Sequence, residues 1–418
     1  MRSAMSYIPP HKRHLKDPLT PTPLPDYLIT KSKKKTDFKS ISSAIGNVIA
    51  YSRDAISKWF LIGSNGTEYE VPSSLSLVPL SSDFEACIYG EKPLVLMINN
   101  VQKENMITEG SEEEEERTRW MLVVAEKVEK DLVLAYEQAK KGMEDHNHVY
   151  NDKLRLVARL GKILFRRLQA GPVAERSLRN SVKVFTTNVP TSYIQNIKSK
   201  AVPRHEFCLV EEKVTYILKV EHYTLPDATI YCKCTMKEDG RLRRWTASAE
   251  IRPVRHLVVD VSCIDKNLDM RLMLAGRRKI KTLTYATLEL NQSFYDGQEK
   301  EISNIQELLD SATVDPNVKG RLRWPLGKTS SGDGYSVFDV CHVRATTYKN
   351  QTLGLKIREA DRFNVRFGTE EIEKGVTLIL QDMNIKLQEQ NIESVCVSEM
   401  LRDALGTIWD FLQYDDAF

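Results

Sequence analysis

The stretch LGLKIREADRFNVRF (Leu353–Phe367) decides the fold class, because its apolar and charged residues alternate. Lys356 and Arg358 share one face of the expected strand, and apolar residues occupy the other face. From Glu206 onward, similar segments recur at short spacing with turn residues between them, which predicts about nine strands. These segments are VTYILKVEH (214–222), ATIYCKCTM (228–236), RRWTASAEI (243–251), RHLVVDVSC (255–263), LDMRLML (268–274), YSVFDVCHV (335–343), LGLKIRE (353–359), FNVRFG (363–368) and VTLILQ (376–381).

Short connections between consecutive strands favour antiparallel meanders. We therefore expect an α+β fold with a large antiparallel sheet or a partly closed barrel. Apolar residues at helical spacing predict helices over Trp120–Lys140, Leu154–Leu168, Thr191–Lys200, Ile302–Ala312 and Ser394–Leu412. In the second of these, the apolar stripe is Leu154, Val157, Leu164, Phe165 and Leu168, and the opposite face carries Arg155, Arg159, Lys162 and Arg166.

Composition along the chain divides it into four parts. Residues 1–45 are rich in proline and lysine, which predicts a disordered basic tail. Residues 46–100 contain short apolar runs and predict a small ordered arm docked on the main domain. The acidic run Glu112–Glu116 marks 101–118 as an unstructured linker, and 119–418 forms the main α+β domain.

The distribution of charged residues along the chain is more informative than their sum. The chain has 418 residues and a net charge of only +3. Basic residues exceed acidic ones within 1–36, 241–281 and 319–366, which favours a polyanionic partner. No run of 18 apolar residues exists, so we expect no membrane contact. Seven cysteines without an apolar leader segment predict reduced thiols and a location in the nucleus, the cytoplasm or both.

The segment RWPLGKTSSGDGY (Arg323–Tyr335) ends like a phosphate-binding loop at Gly327-Lys328-Thr329. Such a loop requires a glycine five residues before Gly327 and a helix after the lysine. Leu322 stands where that glycine is required, and a strand pattern, not a helix, follows Lys328. We therefore predict an exposed turn between strands, with Trp324 packed against the sheet, and no nucleotide cofactor.

Catalytic patterns are sparse. The sequence contains no Gly-x-Ser-x-Gly elbow and no His-Glu-x-x-His pair, and Cys232 and Cys234 are interpreted as buried thiols. Glu371 and Glu373 share one strand face, so a metal-dependent phosphohydrolase with a basic barrel interior is one alternative. A protein-binding scaffold with a large exposed apolar patch is another alternative. We predict a binding protein rather than an enzyme, with no resident metal.

Basic strand residues interleaved with aromatic ones are typical of a surface that tracks phosphates and stacks bases. The predicted nucleic-acid-binding residues are Arg241, Arg243, Arg244, Trp245, Arg321, Arg323, Lys356, Arg358, Arg362 and Arg366.

The N-terminal tail begins with SYIPPHKRH, in which Tyr7, Ile8, Pro9, Pro10 and His11 form a candidate partner-binding peptide. This peptide resembles the YIPPH peptide near the start of Ded-type DEAD-box RNA helicases, which contacts the cap-binding initiation factor. The resemblance implies RNA-binding proteins as partners. Lys12 stands where that peptide has a leucine.

Longer strings resemble a plant-specific protein family that is defined as a domain of unknown function. The resemblance implies a plant source and carries no activity, ligand or site. The strings are SYIPPHKRH, AISKWF, EKPLVLMINN, LVARLGKILF, NVPTSYIQNI, PDATIYCKC, DVSCIDKNLDMRLML, DPNVKGRLRWPLGK and ADRFNVRFG.

These patterns together predict a non-enzymatic adaptor that works with RNA or messenger-ribonucleoprotein partners through its basic strands and its N-terminal peptide.

Lys328 is the residue that a phosphate-binding loop would use to hold a nucleotide. We expect Lys328→Ala to leave the affinity for ATP and GTP unchanged, because this loop does not cradle phosphate. Equilibrium dialysis with labelled nucleotides measures the affinity. Micromolar binding that disappears with this single change would contradict the turn assignment.

Overall fold

The fold was analysed in a computed structural model of the chain. The structure describes residues 24–25, 50–62, 75–80, 93–98, 110–144, 154–167, 181–222, 225–236, 242–248, 250–264, 266–280, 304–324, 331–332, 334–389 and 394–414.

Most of the described chain is β-strand. The strands are β1 Leu24–Pro25, β2 Ala50–Ile62, β3 Leu75–Pro79, β4 Leu94–Ile98, β5 Arg155–Arg167, β6 Ser181–Thr186, β7 Cys208–His222, β8 Leu225–Met236, β9 Leu242–Ser248, β10 Glu250–Cys263, β11 Asp269–Ile280, β12 Thr313–Val314, β13 Leu322–Arg323, β14 Ser331–Gly332, β15 Tyr335–Lys349, β16 Leu353–Asn364 and β17 Thr369–Leu380.

The strands form one large sheet whose main path runs β2-β10-β11-β5-β17-β16-β15-β7-β8-β9. The predicted antiparallel sheet is wrong in one respect, because β2 pairs with β10 in the parallel direction and the sheet is therefore mixed. Strands β2 and β9 stand at opposite ends of this path, so the described strands form no closed barrel. A second, two-stranded sheet pairs β12 with β13.

Few helices accompany the sheet in the described part of the chain. They are α1 Gly110–Glu144, α2 Thr191–Asn196, α3 over 304–310, α4 Gln381–Lys386 and α5 Ser394–Leu412. Helix α2 continues through a π-helical turn, Ile197–Ala201, into a short helical segment, Val202–Arg204. The predicted C-terminal helix is confirmed at both ends.

The predicted helix over Leu154–Leu168 is wrong, because Arg155–Arg167 forms the central strand β5. Its first half alternates at period two, with Leu156, Ala158 and Leu160 fully buried and Arg155, Val157 and Arg159 more exposed. Beyond Gly161 the chain is buried on both faces, as Ile163, Leu164 and Phe165 show. A run of apolar residues on both faces fits helical spacing as well as strand spacing, which explains the error.

The acidic linker predicted over 101–118 is wrong in its second half, because helix α1 begins at Gly110 and includes the acidic run. The strand predicted over 353–359 extends to Asn364 as β16, and the separate strand predicted over 363–368 is wrong, because 365–368 forms the turn that follows. The other divisions of the chain stay predictions, and residues 1–23 of the basic tail lie outside the described residues.

One face of the sheet packs against α1 and α5 and forms the main core. Strands β5, β10, β11, β16 and β17 contribute alternate apolar residues to it, and Leu132 and Leu405 represent the helices. These two side chains are fully buried. Since alternate residues of a strand point to opposite faces, the strand residues between these apolar positions lie on the other face of the sheet.

The described end of the predicted turn agrees with the sequence prediction, whereas 325–330 and 333 lie outside the described residues. Ser331–Gly332 pairs with the start of β15, and Gly334 adopts a φ of 80° in the tight turn between them. The partly buried Trp324 packs against the core beside α3 and donates a hydrogen bond to the Leu308 carbonyl oxygen at 3.1 Å. Lys328 lies outside the described residues.

Strand β5 changes partners at Gly161. Its first half pairs with β11 and β17, whereas Lys162–Arg167 pairs with β6. A Cβ atom on Gly161 would lie 2.0 Å from the carbonyl oxygen of Thr186, closer than any real side chain approaches backbone. The absence of a side chain at this position therefore lets β6 return close to β5.

We expect Gly161→Ala to lower the free energy of unfolding by about 3 kcal/mol or more, because the added methyl group overlaps the Thr186 backbone. Urea unfolding followed by far-UV circular dichroism measures the change.

Gly142→Ala is the matched control, since nothing lies within 4 Å of a Cβ at this position near the end of α1. Its effect should stay within about 1 kcal/mol, in the stabilising direction. Equal unfolding midpoints for the two variants would show that the β5–β6 approach does not depend on Gly161.

Candidate nucleic-acid interface

The face of the sheet opposite α1 and α5 carries charged side chains on most of its strands, and we call it the polar face. Strand register aligns its residues across the sheet. Asp260 of β10 is opposite Arg271 of β11, and Arg271 is opposite Arg159 of β5. The same row continues through Thr377 of β17 to Lys356 of β16. Five neighbouring strands thus place polar residues on one line.

Asp260 is the most enclosed acid of the polar face. Arg271 donates to its two carboxylate oxygens at 2.5 and 3.0 Å, and Lys183 of β6 forms a second ion pair with it. All three side chains are almost completely buried. Burial alone would raise the pKa of Asp260, but the charges of Arg271 and Lys183 hold it well below its usual range. Asp260 is therefore a carboxylate at neutral pH.

Lys183 and Phe185 show that β6 lies over the polar face. Lys183 reaches across to β10, and the guanidinium of Arg271 lies 4.7 Å from the centre of the Phe185 ring. Beyond β6, the hydroxyl of Thr187 donates a hydrogen bond to Glu373 of β17 at 2.9 Å. This end of the polar face is consequently covered by protein.

Glu371 and Glu373 occupy one face of β17, as predicted, and each has an arginine beside it. Arg358 donates to Glu373 at 2.9 Å, and Arg362 lies 3.8 Å from Glu371. Arg362 also lies 3.4 Å from Asp339. Burial raises the pKa of Glu371. Burial also acts to raise the pKa of Glu373, but the charges of Arg358 and Arg159 and the hydrogen bonds from Arg358 and Thr187 together lower it.

Arg159 is the centre of the covered part of the polar face. Its Nε atom is buried and has no hydrogen-bond partner. Burial lowers the pKa of Arg159 to about 10, and the nearby charges of Arg255, Arg271 and Arg358 contribute in the same direction. Glu373 is the acid that opposes this effect. Arg159 therefore lies where positive charge exceeds negative charge.

Arg255 extends this positive region along β10. It is buried, donates to the hydroxyl of Tyr51 at 2.9 Å, and lies over the Tyr51 ring at 5.3 Å. On the far strands, Lys219 of β7 lies over the ring of Tyr231 at 5.7 Å and 3.9 Å from Asp339. Cations and aromatic rings are thus adjacent at both ends of the polar face.

Three of the predicted nucleic-acid-binding residues share the polar face, namely Lys356, Arg358 and Arg362 at alternate positions of β16. Arg366 lies beyond the end of β16, where it pairs with Glu221 and covers the Phe338 ring. These four side chains lie along one strand and its extension.

Arg321 and Arg323 lie away from the polar face, and their predicted role in binding nucleic acid stays a prediction. Arg321 pairs at 3.2 Å with Asp361, which points to the other side of β16 from Arg362. Arg323 is exposed and pairs with Asp315 at 3.0 Å. The turn Lys319–Arg321, with Gly320 at a φ of 70°, directs this segment away from the polar face.

The binding roles of all the predicted residues stay predictions, and for several of them the structure does not describe the side chain. Arg243, Arg244 and Trp245 lie in β9, but their side chains are outside the described part of the structure. Arg241 and the N-terminal peptide Tyr7–His11 are also outside it.

Sequence reasoning did not assign Arg159, Arg255, Arg271 or Lys183 to a site. Arg159, Arg271 and Lys183 each lie between two apolar residues, and Arg255 follows an apolar one. Their common location depends on the register of separate strands. The signal that was available is the unusual placement of arginines inside strands whose neighbouring positions are apolar, as in LRLVARL (154–160) and LDMRLML (268–274).

Within the described residues, no group of three or more His, Cys, Asp or Glu side chains is placed to hold a metal ion. Cys232 and Cys234 are fully buried, which confirms their interpretation as buried thiols. Burial raises the pKa of both, that of Cys234 to about 12. In that part of the chain, none of the helices combines the length and apolarity needed to cross a bilayer.

Exposed apolar side chains occur where β16 turns into β17, at Val365, Phe367 and Ile372. Leu209 and Val210 at the start of β7 are also exposed.

The fold and the polar face define an α+β protein with a large mixed sheet, covered by helices on one side and lined with ion pairs on the other. The chain belongs to the family described as a domain of unknown function (DUF7903), whose model matches residues 43–412. The family resemblance predicted from the sequence is thereby confirmed at this level, while the plant source and the helicase-like peptide stay predictions.

Comparison with curated proteins finds no match. Among solved structures, the Pct1 RNA triphosphatase of S. pombe is similar with a TM-score of 0.38 and 10% identity, covering 69% of this chain and 91% of that chain. The same enzyme in complex with the Spt5 CTD gives a TM-score of 0.38 and 8% identity, covering 69% of this chain and 93% of that chain.

Asp260→Asn tests the buried ion network. We expect a loss of about 3–5 kcal/mol in the free energy of unfolding at pH 7, because Arg271 and Lys183 stay buried without a carboxylate. Since the folded pKa of Asp260 lies below the unfolded value of about 3.9, its contribution is present above that pH and is lost as the pH falls. Urea unfolding at several pH values measures both effects.

Asp315→Asn is the control, because it alters an ion pair whose arginine is exposed. Its cost should stay below about 1 kcal/mol. If Asp260→Asn costs no more than this control, or keeps the full acid sensitivity of the unaltered protein, the ion network does not stabilise the fold as described.

Proposed function

We propose that the protein is a non-enzymatic binding protein that holds RNA by its phosphate groups on the polar face. The observation that carries this proposal is the alignment of Lys356, Arg358 and Arg362 along β16, beside the row that contains Arg159 and Arg271. Several cations on one face of a strand suit the repeating charge of a nucleic-acid backbone.

Aromatic rings beside two other cations of the polar face, Arg255 and Lys219, favour RNA over a simple inorganic anion. Tyr51 and Tyr231 lie at opposite ends of the polar face, each beside a cation. Single-stranded RNA presents unstacked bases that stack on such rings while cations hold the backbone.

The N-terminal peptide and the cellular location belong to the same proposal. Tyr7–His11 would bind an RNA-associated protein in the nucleus or cytoplasm. Affinity purification with and without nuclease tests this part: partners retained after nuclease treatment bind the chain directly, and recovery of no RNA-associated protein in either sample would contradict it.

The polar face should bind RNA with a steep salt dependence. We expect filter retention of mixed single-stranded RNA at low salt and its loss at high salt, because bound counterions are released. The double variant Lys356→Gln, Arg362→Gln should weaken binding and reduce the slope of log affinity against log salt by about 1 for each phosphate contact removed.

Arg402→Gln removes an exposed arginine from α5, on the opposite side of the sheet, and should leave both quantities unchanged. Circular dichroism and thermal unfolding establish that the double variant is folded. No RNA retention at low salt by the unaltered protein would eliminate the proposal, and equal losses in the double variant and the control would eliminate the polar face as the surface.

A further inference from the structure

Arg159 and Arg271 are direct cross-strand neighbours on the covered part of the polar face. Like charges in this position repel each other, and the repulsion is stronger where water is displaced. The charges of Arg255 and Arg358 also act on Arg159. We call these four residues the arginine cluster. A sheet that only needed to fold would be more stable with a neutral residue at position 159.

The acids nearby are already engaged. Asp260 accepts hydrogen bonds from Arg271 and pairs with Lys183, and Glu373 accepts hydrogen bonds from Arg358 and Thr187. Each of these acids forms its ion pairs with other cations, and among the described residues neither is in an ion pair with Arg159.

The buried Nε of Arg159 is a donor with no hydrogen-bond partner. A compact anion with several oxygen atoms satisfies such donors and offsets the excess charge. Guanidinium groups bind phosphate through paired hydrogen bonds. Thr377, the cross-strand neighbour of Arg159 on β17, adds a hydroxyl group on the same row.

The charge of the ligand distinguishes two kinds of phosphate. An internal phosphodiester carries one negative charge, whereas a terminal phosphate carries between one and two at neutral pH and a phosphoanhydride carries more. The arginine cluster also differs in location from the uncovered strand positions of the polar face, because β6 covers this part of the polar face through Lys183. A chain end enters a covered site more readily than a continuous backbone does.

We propose that the arginine cluster is a binding site for a terminal phosphate group, either a phosphate monoester or a phosphoanhydride. The proposal rests on the proposed function in one respect: the terminal phosphate of an RNA chain is one source of this group, and a free phosphate compound is the other. In both cases the phosphate oxygens accept hydrogen bonds from Arg159, with the cluster supplying the balancing charge.

Isothermal titration calorimetry with inorganic pyrophosphate tests the site directly. The full chain should bind pyrophosphate, and Arg159→Gln should weaken binding at least tenfold. Arg402→Gln on α5 is the matched control and should bind as the unaltered protein does. Absence of pyrophosphate binding by the unaltered protein, or equal binding by Arg159→Gln, would overturn the proposal.

Thermal unfolding separates a ligand site from a structural role. Without ligand, Arg159→Gln should unfold at the same temperature as the unaltered protein or higher, because it removes repulsion from Arg271 and Arg255. Pyrophosphate should raise the unfolding temperature of the unaltered protein and not that of Arg159→Gln. A variant that unfolds at a lower temperature, and gains as much from pyrophosphate as the unaltered protein does, would contradict the proposal.

Arg159→Lys provides the second variant. It keeps a positive charge and loses the paired donors of the guanidinium, so its pyrophosphate affinity should fall between those of Arg159→Gln and the unaltered protein. Affinity below that of Arg159→Gln would contradict a role for charge in this site.

Two RNAs of one sequence, with a 5′-phosphate or a 5′-hydroxyl end, distinguish the sources of the phosphate group. Preferential retention of the 5′-phosphate RNA, lost in Arg159→Gln, assigns the site to RNA ends. Pyrophosphate binding without any RNA retention supports the site, assigns it to a free phosphate compound, and eliminates the proposed function. RNA retention independent of the end group, without pyrophosphate binding, eliminates the site and leaves the proposed function standing.

Discussion

The close approach of β6 to β5 at Gly161 is the constraint on which the polar face depends. Only a residue without a side chain fits against the Thr186 carbonyl group, and β5 can therefore leave the main sheet and pair with β6. This geometry brings Lys183 over β10 and supplies Asp260 with its second cation. If β6 packed elsewhere, Asp260, Arg271 and Arg159 would lie on an open sheet surface, where water screens charge and ion pairs contribute little.

The two faces of the sheet are consequently stabilised by different forces. Apolar burial against α1 and α5 supplies the driving force for folding on one face. The other face places charges in partly dry surroundings, where each carboxylate requires a cation and each unpaired donor is costly. Such a layer adds little net stability compared with an apolar one, so its presence in the sheet favours a role in binding. The excess of cations then indicates the sign of the ligand's charge.

Sequence periodicity predicted the strands after residue 206 and helix α5, because apolar and polar residues alternate or repeat in most of those elements. It failed at β5, where Ile163, Leu164 and Phe165 are all buried and no period can be seen. Within the site, Lys356, Arg358 and Arg362 were found because one strand carries all three. Arg159 and Arg271 are 112 positions apart in sequence and meet only through strand register, which a single sequence does not reveal.

The buried thiols of Cys232 and Cys234 are internal probes of local opening of the sheet. A thiol reacts as the thiolate, and burial keeps both of these protonated, so a disulfide reagent can modify them only when β8 separates from its neighbours. Cys208, exposed at the start of β7, reacts at the rate of an accessible thiol and calibrates the reagent. The ratio of the two rates reports the free energy of opening at the β7–β9 end of the sheet. Cys263, buried in the helix-packed core on β10, reports opening at the opposite end of the sheet. A difference between the opening free energies of the two ends would show that the sheet opens from one edge, and equal values would show that it opens as one unit.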